Sequence, residues 1–187
     1  MTRIIKAKAL RSQKTVAIAR WLLGKYLVRA TPRGPVARMI TEVEAYHSGR
    51  DRACHASRGR TPRTETLFAP GGVWYVYLCY GMHEMLNLVT GPADFPAAVL
   101  IRGVDGIRGP GRVTKALGVD RRLNRAPCAP ASGLWIEDRG RRIPRNGIVA
   151  TPRVGVDYAG RFWGKKPWRF VLTDTGACSP TIRRDER

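Results

Sequence analysis

The sequence predicts an α+β fold: a single domain with a curved, mainly antiparallel β-sheet core flanked by short helices. Three observations carry that prediction. Short runs rich in Val, Trp, Tyr and Leu recur along the chain, and Val73–Leu78 is the densest. These runs follow one another across turns instead of alternating with long helices, which points to antiparallel pairing. Helical patterning is confined to two short stretches. A length of 187 residues suits one domain over 1–187, and a hydrophobic share of 43% is enough for a real core.

Residues 13–23, QKTVAIARWLL, carry the first helix, with Gly24 as its left-handed cap. Tyr26–Ala30 is a strand, TPRGP at 31–35 a turn and Val36–Tyr46 a second strand, so the pair is a candidate hairpin. A polar, basic loop fills 47–63. GGVWYVYLCYGMHEMLNLVT (71–90) reads as two strands, Val73–Leu78 and a second ending at Val89, with Tyr80, Gly81 and Met82 near the tip between them. Ala97–Val104 is a further strand, and GPGRVTKALG (109–118) is a Gly/Pro turn entering the second short helix. Leu134–Glu137, Arg153–Val156 and Arg169–Leu172 are expected as late strands, and about 178–187 as a loosely ordered tail.

Charge is the unusual bulk quantity: 34 Lys+Arg against 14 Asp+Glu, a net +20. Such an excess repels itself, and its natural counter-ion is a polyanion, nucleic acid foremost. Arginine dominates it, and arginine forks onto phosphate and stacks on bases better than lysine does. Cys54, Cys79, Cys128 and Cys178 form no C-x-x-C pair and lie far apart, which predicts reduced thiols in an intracellular protein. The opening MTRIIKAKALRSQK lacks the apolar run of a signal peptide. No stretch approaches the roughly 20 apolar residues of a membrane span. The expectation is a soluble, cytoplasmic protein, associated with the nucleoid in a bacterium, with no membrane partner.

Chemistry concentrates in TEVEAYHSGRDRACHASRGRTPR (41–63). In a strand Glu42, Glu44 and Tyr46 share one face, and Arg50, Arg52, Arg58, Arg60 and Arg63 follow at once. A carboxylate in a partly dry, aromatic-lined cavity keeps enough basicity to deprotonate a bound water. Two acids only two residues apart span a sugar ring poorly, so one catalytic carboxylate is expected, the other tied to an arginine. Tyr80 abuts the Gly81 turn and should project from the hairpin tip, where a large aromatic suits insertion between base steps. GPGRVTK fails the Walker A spacing. Its helix start, with Arg112 and Lys115 nearby, could hold a DNA phosphate, and Lys165 and Lys166 read as a phosphate-facing patch rather than as Schiff-base nucleophiles. His47, His55, His83 and the cysteines lack ligand spacing, so no metal and no cofactor are expected.

The stretches TEVEAYHSGRDRACHASRGRTPR, VWYVYLCYGMHEMLN, VLIRGV, GPGRVTKALG and RVGVDYAGRFWGKKPWRF, in that order, resemble the alkyladenine (3-methyladenine) DNA glycosylase family of the mammalian type, which also occurs in bacteria. The resemblance runs from the first helix to about Leu172. It implies that Glu44 is the general base for water attack on the nucleotide C1′ and that Arg102 helps hold the sugar-phosphate and the water site. It makes Tyr46, His55 and Tyr77 the aromatic walls around an extruded base, and Tyr80 the wedge that fills the gap in the duplex. Asn87 is similar to the pocket residue that clashes with the 2-amino group of normal guanine.

The function so implied is a monofunctional DNA N-glycosylase, without lyase activity, acting on double-stranded DNA containing alkylated or deaminated purines. It would flip the damaged purine and hydrolyse its N-glycosidic bond, starting base excision repair, as a monomer. The alternative is a non-catalytic, basic nucleic-acid-binding module on the same scaffold. That reading explains the charge but leaves Glu44 idle beside a polyanion it would repel.

Overall fold

A computed structural model of the chain describes residues 2–173, so the expected tail and Cys178 lie outside the described residues. Its strands are β1 (Arg3–Ile4), β2 (Tyr26–Arg29), β3 (Val36–His47), β4 (Trp74–Cys79), β5 (His83–Val89), β6 (Ala97–Val104), β7 (Ile107–Arg108), β8 (Leu134–Asp138), β9 (Ile148–Thr151) and β10 (Arg169–Leu172). The helices are α1 (Thr15–Leu22), α2 (Pro110–Ala116) and α3 (Gly160–Gly164), joined by several 3₁₀ turns. The strand order is β1-β8-β2-β3-β6-β5-β4, with β10 added on β3, β9 on β10 and β7 on β6. Every one of these pairings is antiparallel, and the sheet curls into a half-barrel, the α+β architecture that the sequence predicts.

β3 is the spine. Its first residues pair with β2, as the hairpin reading expected, and the rest lie between β6 and β10. The strand changes face partway along. Ile40 and Val43 both enter the core although they are three apart, because the β3–β6 register shifts between Ile40 and Glu42 and again between Glu42 and Val43. β6 makes the matching slip, so that Ile101 and Val104 are also both core residues. A one-residue slip reverses which side chains face inward. Beyond it, Val43 and Ala45 point into the core while Glu42, Glu44 and Tyr46 take the other face. Gly103 sits opposite Glu42 at the slip, where an added Cβ would lie 3.0 Å from the Glu42 Cβ.

On the core face, Leu27, Ile40, Trp74, Leu86, Leu88, Ile101 and Ile136 are fully buried, and α1 covers them with Ile18, Ala19 and Leu22. That i, i+1, i+4 spacing is the apolar stripe of a short amphipathic helix. α1 ends where Leu23 turns extended and Gly24 takes φ +78°, the left-handed conformation that glycine adopts without strain. Arg153–Val156, expected as a strand, is not one. The late strand falls instead on Ile148–Thr151, because Pro152 has no N–H to donate and Gly155 turns the chain at φ +72°.

Candidate active site

Strand register assembles the site. One row crosses the sheet from Arg169 on β10 to Glu44 on β3, then Leu100 on β6, Asn87 on β5 and Tyr75 on β4. Residues in register share a face, so four of these strands deliver side chains to one floor. The next same-face pair on the outer hairpin is Tyr77 with Met85. Over this floor folds the 51–58 loop, and the 153–158 turn closes the far side. Together they enclose a cavity of about 690 Å³ lined by Glu44, Tyr46, His55, Tyr77, Asn87 and Arg102, among others. That volume is within the usual range for pockets that bury a small organic ligand.

Glu44 is completely buried on the cavity floor. Its Oε2 accepts from the Tyr46 hydroxyl at 2.8 Å and its Oε1 from the Val154 backbone N–H at 2.8 Å. Burial raises its pKa above the ordinary carboxylate value; Arg102, the Val154 N–H, the Tyr46 hydroxyl and Arg153 act against that rise. The neighbouring acid has a different environment. Glu42 Oε1 accepts from Arg102 Nε at 2.9 Å and from Arg169 Nε at 2.6 Å, which is the arginine-tied partner that the strand pattern anticipates. Arg102 reaches Glu44 only through Nη1, at 3.5 Å.

The aromatic walls come from three elements. The His55 and Tyr77 rings stand edge to face with centroids 4.5 Å apart, and Tyr75 lies 5.3 Å from Tyr77. His55 Nδ1 pairs with the Tyr75 hydroxyl at 3.0 Å. Burial, helped by Arg63 and Arg58, lowers the His55 pKa to about 4, so the imidazole is neutral at physiological pH. Asn87 is buried, and its Nδ2 donates to the carbonyls of Tyr75 and Met85, each at 3.2 Å. Burial also pushes the Cys54 thiol up to about 12, so it lines the cavity as a neutral group.

Tyr80 lies in the three-residue loop between Cys79 and His83, the last pair of the β4–β5 hairpin. It is 89% exposed and holds φ +50°, followed by Gly81 at φ +70°. A bulky residue in the left-handed region is uncommon. Here it points a ring outward at the cavity rim.

The phosphate candidates are less concentrated. Arg112 is exposed on the first turn of α2, but Lys115 sits in its last turn, away from the helix start. The amides of Arg112 and Val113 are both taken by the Gly109 carbonyl. Lys165 is exposed, whereas Lys166 lies 4.1 Å over the Phe162 ring and faces Trp163 and Trp168 as well.

Sequence reasoning missed several residues. Tyr75, which carried no assigned role, pairs with His55. Val154, misread as part of a strand, supplies an N–H to Glu44. Tyr158 rims the cavity at 68% exposure and donates to the Ala53 carbonyl. Asp51 and Arg153 form a fully buried ion pair that no local pattern announces. Among the described residues no cluster of three His, Cys, Asp or Glu side chains could hold a metal ion, and no helix is long and apolar enough to cross a membrane.

Comparison with known proteins points to a family. The family model described as methylpurine-DNA glycosylase matches residues 9–108 and 104–176. A Methanocella arvoryzae protein named "Putative 3-methyladenine DNA glycosylase" is 44% identical over 176 residues, covering 83% of this chain and 86% of its own. A protein of the same name from Anaeromyxobacter dehalogenans is 44% identical over 172 residues, covering 88% and 82%. Another, from Myxococcus xanthus, is 41% identical over 174 residues, covering 88% of each chain.

Proposed function

Because the chain belongs to the methylpurine-DNA glycosylase family, and so is an N-glycosyl hydrolase of base excision repair, we propose that Glu44 activates the water that releases the damaged base. The observation that carries this reading is the contrast between the two acids. Glu42 is matched by two guanidinium groups, while Glu44 is held by a hydroxyl and a backbone N–H on the floor of an aromatic cavity. A buried carboxylate with raised proton affinity accepts a proton from water, and its negative charge stabilises the oxocarbenium-like sugar formed as the base leaves.

The steps follow from the groups present. Exposed cations engage the phosphates of duplex DNA, so binding weakens with salt by a log–log slope of about −0.9 per phosphate neutralised. The acting unit is a monomer. Tyr80 enters the base stack from its exposed tip and takes the space of the flipped purine. That purine stacks among Tyr46, His55 and Tyr77, each good contact returning roughly 1–3 kcal/mol. A methylated purine carries positive charge, which electron-rich rings attract further and which makes it a good leaving group. Asn87 crowds the 2-amino group of normal guanine. Arg102 holds the sugar-phosphate beside the water. Deaminated purines such as hypoxanthine are accepted by the same pocket, and the products are a free base and an abasic site.

The test is base release from alkylated duplex DNA and from a duplex with one hypoxanthine, comparing wild type with Glu44→Gln. The variant should bind both DNAs and lose about 10²–10⁴-fold in release. Tight binding without release by either protein would replace this reading with that of a non-catalytic binding module.

A further inference from the structure

One buried pair touches the segments that carry Glu44 and Tyr46 without lining the cavity. Arg153 and Asp51 are 102 residues apart, and both side chains are fully buried. Arg153 Nη1 donates to Asp51 Oδ2 at 2.6 Å and Nη2 to Asp51 Oδ1 at 2.9 Å, a two-pronged pair. The same guanidinium donates to the Ala45 carbonyl at 2.9 Å and the Trp163 carbonyl at 3.2 Å. Its Cζ also lies over the Tyr46 ring, 4.8 Å from the centroid, and over the Trp168 ring at 5.2 Å.

These partners are not interchangeable bits of core. Ala45 is the residue between Glu44 and Tyr46, and its carbonyl belongs to the peptide that leads into Tyr46, one residue past Glu44. Val154, the residue after Arg153, gives Glu44 its backbone hydrogen bond. Asp51 in turn accepts from the amides of His47 and Ala53, at 3.2 and 3.1 Å, and so shapes the loop that leads into Cys54 and His55. As a stabiliser alone, a buried ion pair is a weak device, because desolvating both charges offsets most of their attraction. A planar five-donor guanidinium is instead well suited to holding several acceptors in fixed relative positions.

We propose that the Arg153–Asp51 pair is a positioning device for the reaction: it joins the Ala45 peptide, the 47–53 loop and the 153–154 backbone through one guanidinium and thereby fixes the Glu44 carboxylate and the Tyr46 wall relative to the bound nucleotide. The inference rests on the reading of Glu44 as general base. Neither Arg153 nor Asp51 contacts substrate; both act through Glu44, Tyr46 and His55.

The experiment uses the double variant Asp51→Asn/Arg153→Gln, which removes both charges at once and strands neither, together with Arg153→Lys, which keeps a charge but offers no planar fork. Thermal melting, affinity for a lesion-bearing duplex and single-turnover base release are measured for each. The double variant should melt cooperatively and bind within about threefold of wild type, yet release base about 30–100-fold more slowly, the scale expected for a misplaced reacting group. Arg153→Lys should lose about tenfold, between the two. The inference is overturned if the folded double variant keeps its rate within about threefold, or if rate falls only in proportion to the folded fraction in both variants. Glu44→Gln is run alongside. If that variant keeps full activity, the general-base reading fails; if it is inactive while the double variant is not, only the positioning role fails.

Discussion

Replacing Tyr46 by Phe keeps the ring and removes one atom, the hydroxyl that donates to Glu44 Oε2 at 2.8 Å. Glu44 is completely buried, so bulk solvent does little to screen the loss. A hydrogen bond to a charged group is worth about 1.5–3 kcal/mol, and about 1.4 kcal/mol is a factor of ten. The lost bond stabilised the carboxylate, so Glu44 should hold its proton to higher pH than in wild type. Base catalysis needs the ionised form, and the acid limb of the pH–rate profile therefore moves toward neutrality. Single-turnover base release between pH 5 and 8.5 is the assay. Release should fall roughly tenfold at the acid end and stay within about threefold at pH 8, where the more basic carboxylate offsets part of the deficit. DNA affinity should hold, because the ring and its contact with the Arg153 guanidinium survive. A limb that stays in place or moves to lower pH would refute the assignment of Glu44 as the titrating base.

Burial raises the folded-state pKa of Glu44, so ionisation costs stability: its contribution is most favourable below the ordinary value of 4.5 and is lost as pH rises through the raised value. Glu44→Gln should accordingly melt higher than wild type at pH 7, by about 2–4 °C per kcal/mol, and the gap should close in scans run toward pH 4. Tyr80→Ala should leave the melting temperature unchanged, since the ring is 89% exposed, while release from a fully paired duplex drops about tenfold or more and release from a mismatched lesion drops less. Tyr75→Phe removes the hydroxyl that pairs with His55 Nδ1; weaker lesion binding at constant salt, with no new titration between pH 6 and 8, is the expected result in a binding series.

Local pattern made part of this site legible. Period-two alternation put Glu44 with Tyr46, and the Gly81 turn put Tyr80 on a tip; the structure has the Tyr46–Glu44 hydrogen bond and an exposed Tyr80. The register slip near Glu42 was not visible, because a bulge depends on what the partner strand does at Gly103. His55, Asn87 and Arg102 became candidates only through the family resemblance, since each residue type is common in loops and strands. RVGV (153–156) misled because it alternates like a strand, while the proline before it and the glycine within it break the ladder. Asp51 was hidden for a different reason. An acid in a basic loop looks solvated until its partner, 102 residues away, is brought to it.

A net charge of +20 implies a polyanion without saying which cations meet it. The structure divides them. Arg169 is committed to Glu42, Arg153 to Asp51, and Arg60 to Glu65 and Asp94, while Arg102 gives only its Nε to Glu42. Arg50, Arg52, Arg58 and Arg63 remain exposed, with no acid partner among the described residues. This division bears directly on catalysis. On the proposed reading of Glu44 as general base, so positive a protein risks pairing that carboxylate with a guanidinium and costing it its basicity. Glu42 prevents that by taking the Nε of both Arg102 and Arg169, at 2.9 and 2.6 Å, which leaves Glu44 a single longer contact at 3.5 Å. Glu42→Gln should release Arg102 toward Glu44 and stabilise its carboxylate. The acid limb then moves to lower pH, opposite in sign to Tyr46→Phe, and release at pH 8 falls by roughly 5–10-fold because the base is weaker. If Glu42→Gln and Tyr46→Phe shift the limb in the same direction, the division of labour between the two acids is wrong.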